Sequence, residues 1–115
     1  MRSKNRQFIY GVLAVAGVLA TWYFNLRFMA EHDGFSVAAF LAGGYANAAA
    51  SSLTSDLTVG VLAFLVLLVA ESRRLEMSRP WAYVLLTFFV AFAFAFPLFL
   101  LMRERRLASL ERVAA

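Results

Sequence analysis

The stretch WAYVLLTFFVAFAFAFPLFLLM, residues 81–102, contains no charged side chain and decides the fold. An α-helix rises about 1.5 Å per residue and the hydrocarbon core of a bilayer is about 30 Å thick, so roughly 20 apolar residues can cross it. A soluble helix of this length would carry polar residues at every third or fourth position. The stretch therefore predicts a transmembrane helix over about residues 81–102 and an all-α membrane protein.

The composition of the whole chain agrees with this prediction. Hydrophobic residues make up 63% of the 115 residues, and the mean hydropathy is +0.73. A soluble domain of this size buries only about 60–70% of its unfolded-chain surface, so it needs many more polar residues outside. A soluble helical bundle with a rich core is therefore the weaker interpretation.

Two more apolar stretches predict spans over about residues 7–28 and about residues 54–71. Between them, a short interfacial or re-entrant helix is expected over about residues 35–42, because the glycine pair that follows interrupts a helix. A fourth span in this region is the alternative. The expected architecture is one multi-span membrane domain, residues 1–115, with three transmembrane helices plus the short helix between the first two.

The beginning of the chain has an alternative interpretation as a signal peptide. A basic segment, MRSKNR, precedes an apolar stretch and the small-residue sequence VLA at residues 18–20, as in a cleavable leader. The apolar character continues to Phe24, past the supposed cleavage site, so we treat this stretch as a retained span.

The net charge of +4 comes from basic residues at the borders of the apolar stretches. This pattern is typical of flanks that face lipid headgroups, and it does not resemble a nucleic-acid-binding stripe. We therefore expect the lipid bilayer as partner, no nucleic acid and a multi-pass location in the inner (plasma) membrane. With three spans, six lysines and arginines would lie on one side and five on the other, so the positive-inside rule barely chooses an orientation.

The segment NAAASSLTSDL, residues 47–57, is the most polar part of the apolar region. Three alternating spans would bring it to the same membrane face as the end of the first span and the end of the third. Ser52 or Thr54 could cap a helix there, with Asp56 in its first turn. Alternatively, Asp56 lies deeper, pairs with Arg103 or Arg105 and bonds to Asn25 or Asn47, since intramembrane ionisable groups are expensive and often functional. The candidate polar cluster comprises Asn25, Asn47, Ser51, Ser52, Thr54, Asp56 and Arg103.

A second candidate cluster, Glu71, Arg73 and Arg74, follows the second predicted span. Glu71 lies close to the angular position of Gly60 on a helix, so it can point inward and pair with Arg74 or Arg6. The other interpretation is a solvated run of charges at the interface.

Pro97 and His32 are single residues with a predicted consequence. Pro97 removes one backbone hydrogen bond and should bend the third span near Arg103. His32, the one histidine, lies between acidic neighbours in a turn, where adjacent side chains rarely converge on one ion, so we predict no metal site. The chain has no cysteine and no cofactor motif, so no cofactor is expected.

Three segments carry a resemblance: FLAGGYANAAASSLTSDLTV (40–59), VAESRRLE (69–76) and AFPLFLLMRER (95–105). They resemble a family of short bacterial integral membrane proteins catalogued as a domain of unknown function. The resemblance implies a multi-span membrane domain and no particular activity. It also implies that several residues belong to a recurring family pattern, namely Asn47, Ser51, Asp56, Glu71, Arg74, Pro97, Arg103 and Glu104.

We favour a non-enzymatic function, as a homo-oligomer or an accessory component of a larger membrane complex. Each span carries small residues at helical spacing, for example Ala14 and Gly17 in the first and Ala91 and Ala95 in the third, and helices pack closely in lipid on such residues. The alternative is a small transporter or lipophilic-ligand binder that uses Asp56. A membrane-embedded enzyme acting on an isoprenoid or lipid is the third hypothesis.

Overall fold

Five α-helices make up the part of the chain that the structure describes. A computed structural model describes residues 2–114, and this range contains no strand. The all-α prediction is therefore confirmed. The helices are α1 (Ser3–Glu31), α2 (Val37–Gly44), α3 (Ala48–Arg74), α4 (Pro80–Phe89) and α5 (Phe92–Ala114).

The first two predicted spans lie within α1 and α3, which are both long and apolar enough to cross a membrane. α3 begins earlier than expected, because the side chain of Asn47 accepts a hydrogen bond from the backbone N–H of Ala50 at 2.8 Å and the following alanines favour helix. The predicted caps Ser52 and Thr54 therefore lie inside the helix, and that interpretation is wrong. Asp56 is likewise beyond the first turn.

The short helix is present as α2, but it includes Gly43 and Gly44, so the expectation that the glycine pair interrupts it is wrong. The hydroxyl of Ser36 accepts a hydrogen bond from the N–H of Ala39 at 3.2 Å and caps its start. Eight residues extend only about 12 Å, so α2 does not cross a bilayer and the alternative of a fourth span is wrong. Thr54 fastens α2 to α3, because its hydroxyl donates a hydrogen bond to the carbonyl of Gly44 at 2.6 Å.

The third apolar stretch is not one helix. α4 ends at Phe89 and α5 begins at Phe92, and the N–H of Ala91 bonds back to the carbonyl of Leu86 at 2.9 Å. Tyr83 and Phe99 flank the break at similar distances along the chain, and their ring centroids are 5.3 Å apart. α5 therefore folds back along α4 as a helical hairpin, and the prediction of a single span over 81–102 is wrong.

The hairpin packs against the two long helices. α5 runs antiparallel to α1, since Gly11 lies near Leu101 and Arg6 lies near Glu104. It runs parallel to α3, since Phe64 contacts the start of α5, and Glu71 contacts Arg103 further along. The predicted bend at Pro97 is replaced by the break at Val90 and Ala91, and Pro97 itself lies inside α5.

The core lies between α3, α4 and α5. Phe64, Leu68 and Phe99 are fully buried there, and we call these three residues the central core. Between α1 and α5 the contact depends on small residues, because Ala14 and Ala95 are buried and Gly17 lies against the backbone of Ala93. Small side chains let helix backbones approach closely without any need for large apolar contacts.

Candidate functional site

The charged end of the molecule is the place where the start of α1 (residues 2–7), the end of α3 with the following connection (71–80) and the last part of α5 (103–114) meet. Of the 11 lysines and arginines, all except Arg27 lie in these segments. The hairpin produces this asymmetry, because it returns the end of the third apolar stretch to the side from which it started.

Glu71 ties α3 to α5 at the charged end. Its Oε2 accepts a hydrogen bond from Nε of Arg103 at 2.7 Å and another from Nη2 of Arg74 at 2.9 Å. Nε of Arg74 donates to the other oxygen, Oε1, at 2.9 Å. The Glu71 side chain is 14% exposed, so it points inward and pairs with Arg74, which was one of the two interpretations from sequence.

Glu104 ties α1 to α5 in the same region. Its side chain is 7% exposed, and its Oε1 lies 3.1 Å from Nε of Arg6. The hydroxyl of Ser3 donates a hydrogen bond to Oε2 at 3.2 Å, and Nη1 of Arg103 lies 3.9 Å from Oε1. A buried carboxylate without such partners would cost several kcal/mol (roughly 3–5).

A third contact at the charged end closes the C-terminus of α3. Nε of Arg106 donates a hydrogen bond to the carbonyl of Leu75 at 2.8 Å, and Leu75 is the residue that caps the helix. The last carbonyls of a helix have no partner within it, so a cation there is stabilising. Together, Arg6, Glu71, Arg103, Glu104 and Arg106 join α1, α3 and α5, and we call these five residues the clamp.

The clamp is suited to holding helix ends together. Both of its carboxylates are engaged by guanidinium groups, so each acid joins α5 to another helix. Two acids are shared among several arginines and a serine, which ties three helices together in one region.

The structure divides the predicted polar cluster between opposite ends. Asn25 and the residues from Asn47 to Asp56 lie at the far end, which comprises residues 25–58, whereas Arg103 lies in the clamp. The expected pairing of Asp56 with Arg103 is therefore wrong, because it assumed that the third stretch continues across. Asp56 is exposed and makes no ion pair with any residue between 2 and 114.

Other members of the predicted clusters have local roles. Asn47 caps α3 and Thr54 bonds to α2. Ser51 is half-buried, and Ser52 is exposed. In the second cluster Glu71 and Arg74 meet, and both Arg73 and Arg74 are exposed.

Sequence reasoning did not select Arg6, Glu104 and Arg106 as parts of one site. A continuous third span would put Glu104 at the opposite membrane face from Arg6. The available signal is the position of Glu104, an acid directly behind an apolar stretch and among three arginines. Such an acid needs a partner from another helix when it points inward.

A lateral cleft of about 710 Å³ lies at the far end, between the second half of α1, α2 and the first half of α3. It exists because α5 begins at Phe92, level with Gly17 and Gly60, so no helix fills the space beyond. At the tip of the hairpin, Nε1 of Trp22 donates a hydrogen bond to the carbonyl of Val90 at 2.7 Å. The cleft is lined mainly by apolar side chains, and Asp56 is not among its lining residues.

Metal-binding geometry is absent from residues 2–114, in which no group of three or more histidine, aspartate or glutamate side chains converges. The ring of His32 is exposed, with Nδ1 located 3.0 Å from the carbonyl oxygen of Phe28.

Comparison with known proteins places the chain in a family without assigned activity. No curated protein and no solved structure matches it. The model of a family described as "Protein of unknown function DUF2834" matches residues 9–105, which include all of α2, α3 and α4. Because the match covers most of the chain, the protein belongs to the DUF2834 family.

Proposed function

We propose that this protein is a small multi-pass protein of the inner (plasma) membrane that performs no chemistry of its own and acts as a homo-oligomer or an accessory component of a larger membrane complex. Two spans, α1 and α3, would cross the bilayer, and the α4–α5 hairpin would enter it from the charged end and turn back. The clamp would hold these elements in register.

The distribution of exposed apolar side chains is the observation that carries this proposal. In the most apolar segment of α1 only 6% of the residues are buried inside the molecule, and in that of α3 only 11% are buried. Large apolar residues such as Phe8, Leu19 and Val66 are more than 60% exposed. Apolar patches of this extent are not tolerated on soluble monomers, but they are ordinary on a surface that faces lipid.

The positive charges support an orientation. Cytoplasmic segments of membrane proteins carry an excess of lysine and arginine, and here only Arg27 lies away from the charged end. Three spans would divide the lysines and arginines almost equally between the two sides of the membrane. The hairpin instead brings the end of α5 back to the side where α4 begins, so this equal division does not arise. The charged end, with the start of α1 and the end of α5, would therefore face the cytoplasm.

Single-cysteine labelling tests this arrangement, since the chain has no cysteine of its own. We expect Ser78→Cys and Ala114→Cys to react with a membrane-impermeant maleimide only from the cytoplasmic side. Ala46→Cys, in the connection between α2 and α3, should react only from the opposite side. Ala63→Cys, exposed in the middle of α3, is the control and should remain unlabelled in lipid.

Two results of the labelling would contradict the proposal. Reaction of Ala114→Cys from the same side as Ala46→Cys would mean that α5 crosses the bilayer, as the three-span arrangement requires. Reaction of all four variants, with the protein dispersed in buffer without detergent, would remove the membrane location altogether.

The lateral cleft favours a second candidate function, the binding of a lipophilic ligand. The cleft is open to the side, apolar, and large enough for a small hydrophobic molecule, since such sites commonly measure about 300–1,000 Å³. In this second candidate function the lateral cleft holds the ligand, and Asp56, which does not line the cleft, does not contact it.

Filling the cleft tests the second candidate. We expect Ala20→Trp, which places an indole in the cleft, to lose most of any lipophile that co-purifies in mild detergent, as measured by mass spectrometry of the extracted protein. Ala16→Trp, exposed on α1 outside the cleft, should retain it. Equal retention by both variants would argue against a ligand in this cleft.

A further inference from the structure

A second cleft, of about 780 Å³, lies at the charged end between the start of α1, the α3–α4 connection and the last part of α5. We call it the basic cleft. Its lining carries four cationic side chains, those of Lys4, Arg105, Arg106 and Arg112, and one carboxylate, that of Glu76. The excess of positive charge distinguishes it from the lateral cleft, whose lining residues include no charged side chain.

The cations of the basic cleft are available to a ligand. Lys4, Arg105 and Arg112 are exposed and form no ion pair within the described part of the chain. Arg106 uses only its Nε, in the bond to Leu75, so its terminal nitrogens can reach the cleft. The nearby acids Glu71 and Glu104 are already paired with arginines in the clamp, so the four cations of the lining outnumber its one carboxylate, Glu76.

The chemistry of the lining selects a particular class of anion. Guanidinium groups offer paired N–H donors that match the oxygens of phosphate, and serine hydroxyls add neutral donors. Ser78 and Ser109 line the cleft beside the arginines, whereas the hydroxyl of Ser3, which also lines it, already donates to Glu104. A carboxylate ligand would satisfy fewer of these donors than a phosphate with its several oxygens.

The inner wall of the basic cleft is apolar. Met77 and Tyr83 line it and also pack against the central core, and Met102 of α5 lies with them. The cleft therefore passes from cations at the outer rim to apolar side chains toward the bundle. A ligand that fills it has a phosphate at one end and a hydrophobic portion at the other.

We propose that the basic cleft binds the phosphate of an anionic phospholipid, with the glycerol backbone and the first part of an acyl chain against its apolar wall. This inference rests on the proposed membrane location, because the cytoplasmic leaflet supplies such lipids, and basic pockets between membrane helices bind their headgroups. The lipid would bridge α1, the α3–α4 connection and α5.

The test uses the full-length protein in mild detergent, titrated with phosphatidylglycerol, with phosphatidylcholine or with inorganic phosphate. Binding is followed by native mass spectrometry and by the midpoint of thermal unfolding, which rises when a ligand binds the folded state. We expect phosphatidylglycerol to bind saturably and phosphatidylcholine to bind at least about tenfold more weakly. The double variant Arg105→Gln/Arg112→Gln should weaken phosphatidylglycerol binding by about tenfold or more.

A matched double variant, Arg27→Gln/Arg73→Gln, removes the same charge from positions outside the basic cleft and should change the affinity less than about twofold. Arg105→Lys/Arg112→Lys keeps the charge and should retain part of the binding, which separates loss of the site from loss of the fold. Equal loss in the two glutamine variants, or equal binding of the two lipids, would overturn the proposal.

The titration with inorganic phosphate distinguishes a lipid headgroup from a soluble phosphate as the source of the anion. It also distinguishes failure of the phosphate site from failure of the proposed membrane location. Saturable phosphate binding that depends on Arg105 and Arg112 would confirm a phosphate site that also accepts a soluble ligand. Should the protein prove soluble without detergent, the membrane proposal fails, yet this titration still decides whether the cleft holds phosphate. Lack of both lipid and phosphate binding would remove the site while leaving the labelling result intact.

Discussion

Gly17→Ala is expected to separate α1 from α5 and to lower the free energy of unfolding by about 3 kcal/mol, at the upper end of the range for overpacking. A Cβ atom at this position would overlap the carbonyl oxygen of Ala93 and would lie 2.6 Å from its carbonyl carbon. The atoms in the way belong to the backbone and cannot rotate aside. Pro97 contributes to this contact, because it has no N–H for the carbonyl of Ala93, which is left free to face α1.

Gly11→Ala is the matched control for this prediction. It lies on the same helix and faces the same partner, but an added Cβ would be 4.0 Å from Leu101, which is an ordinary contact. Alanine also favours helix over glycine by about 1 kcal/mol, so this variant should be neutral or slightly more stable. SDS-induced unfolding in detergent, followed by circular dichroism, measures both variants. Equal stability of the two would refute the close approach at Gly17.

Glu104→Gln is expected to lower the free energy of unfolding by about 2–4 kcal/mol, because it removes the buried negative charge by which α5 holds the start of α1 in the clamp. The value is set below the full cost of breaking a buried pair, since the side chain of Arg6 is 37% exposed and water screens it in part. Asp56→Asn removes a carboxylate from the exposed surface of α3 and should change stability by less than about 0.5 kcal/mol.

A double-mutant cycle makes the second prediction specific. If Arg6 and Glu104 stabilise the fold through each other, Arg6→Gln/Glu104→Gln should be more stable than the sum of the single losses predicts, by about 1 kcal/mol or more. The same unfolding assay applies to all variants of the cycle. Strictly additive losses would show that the two side chains act independently and that the clamp does not join α1 to α5.

Much of the fold follows from sequence because its causes are local. α1 and α3 are long and apolar enough to cross a bilayer, and the sequence around α2 contains both its serine cap and its terminal glycines. Differences at the boundaries come from neighbours of the apolar stretches. α3 extends back to Ala48, for example, because Asn47 provides a cap that the apolar pattern alone does not indicate.

The hairpin could not be predicted from the same patterns. The sequence TFFVAFAFAF, residues 87–96, contains no glycine, proline or charge at the break, and its apolar residues suit a straight helix equally well. What ends α4 is tertiary contact, with Trp22 bonded to the carbonyl of Val90 and Phe92 packed on Phe64. A continuous third span also places Arg103 beside Asp56. The wrong pairing of these two residues therefore follows from the wrong prediction of a single span.

One indication of the hairpin was present in the charges. Three full spans divide the lysines and arginines almost evenly, which is unusual for a membrane protein. Returning the third stretch to its starting side leaves only Arg27 apart from the others. An even division of this kind, beside a long uncharged stretch, is therefore a reason to consider a re-entrant hairpin.

The break at Val90 and Ala91 also gives the molecule an unequal girth. Four helices lie side by side near the charged end, whereas only α1 and α3, with the small α2, continue past the tip of the hairpin. Set in a bilayer, such a wedge displaces more lipid area from one leaflet than from the other. The protein would fit best where the membrane already curves to match that taper.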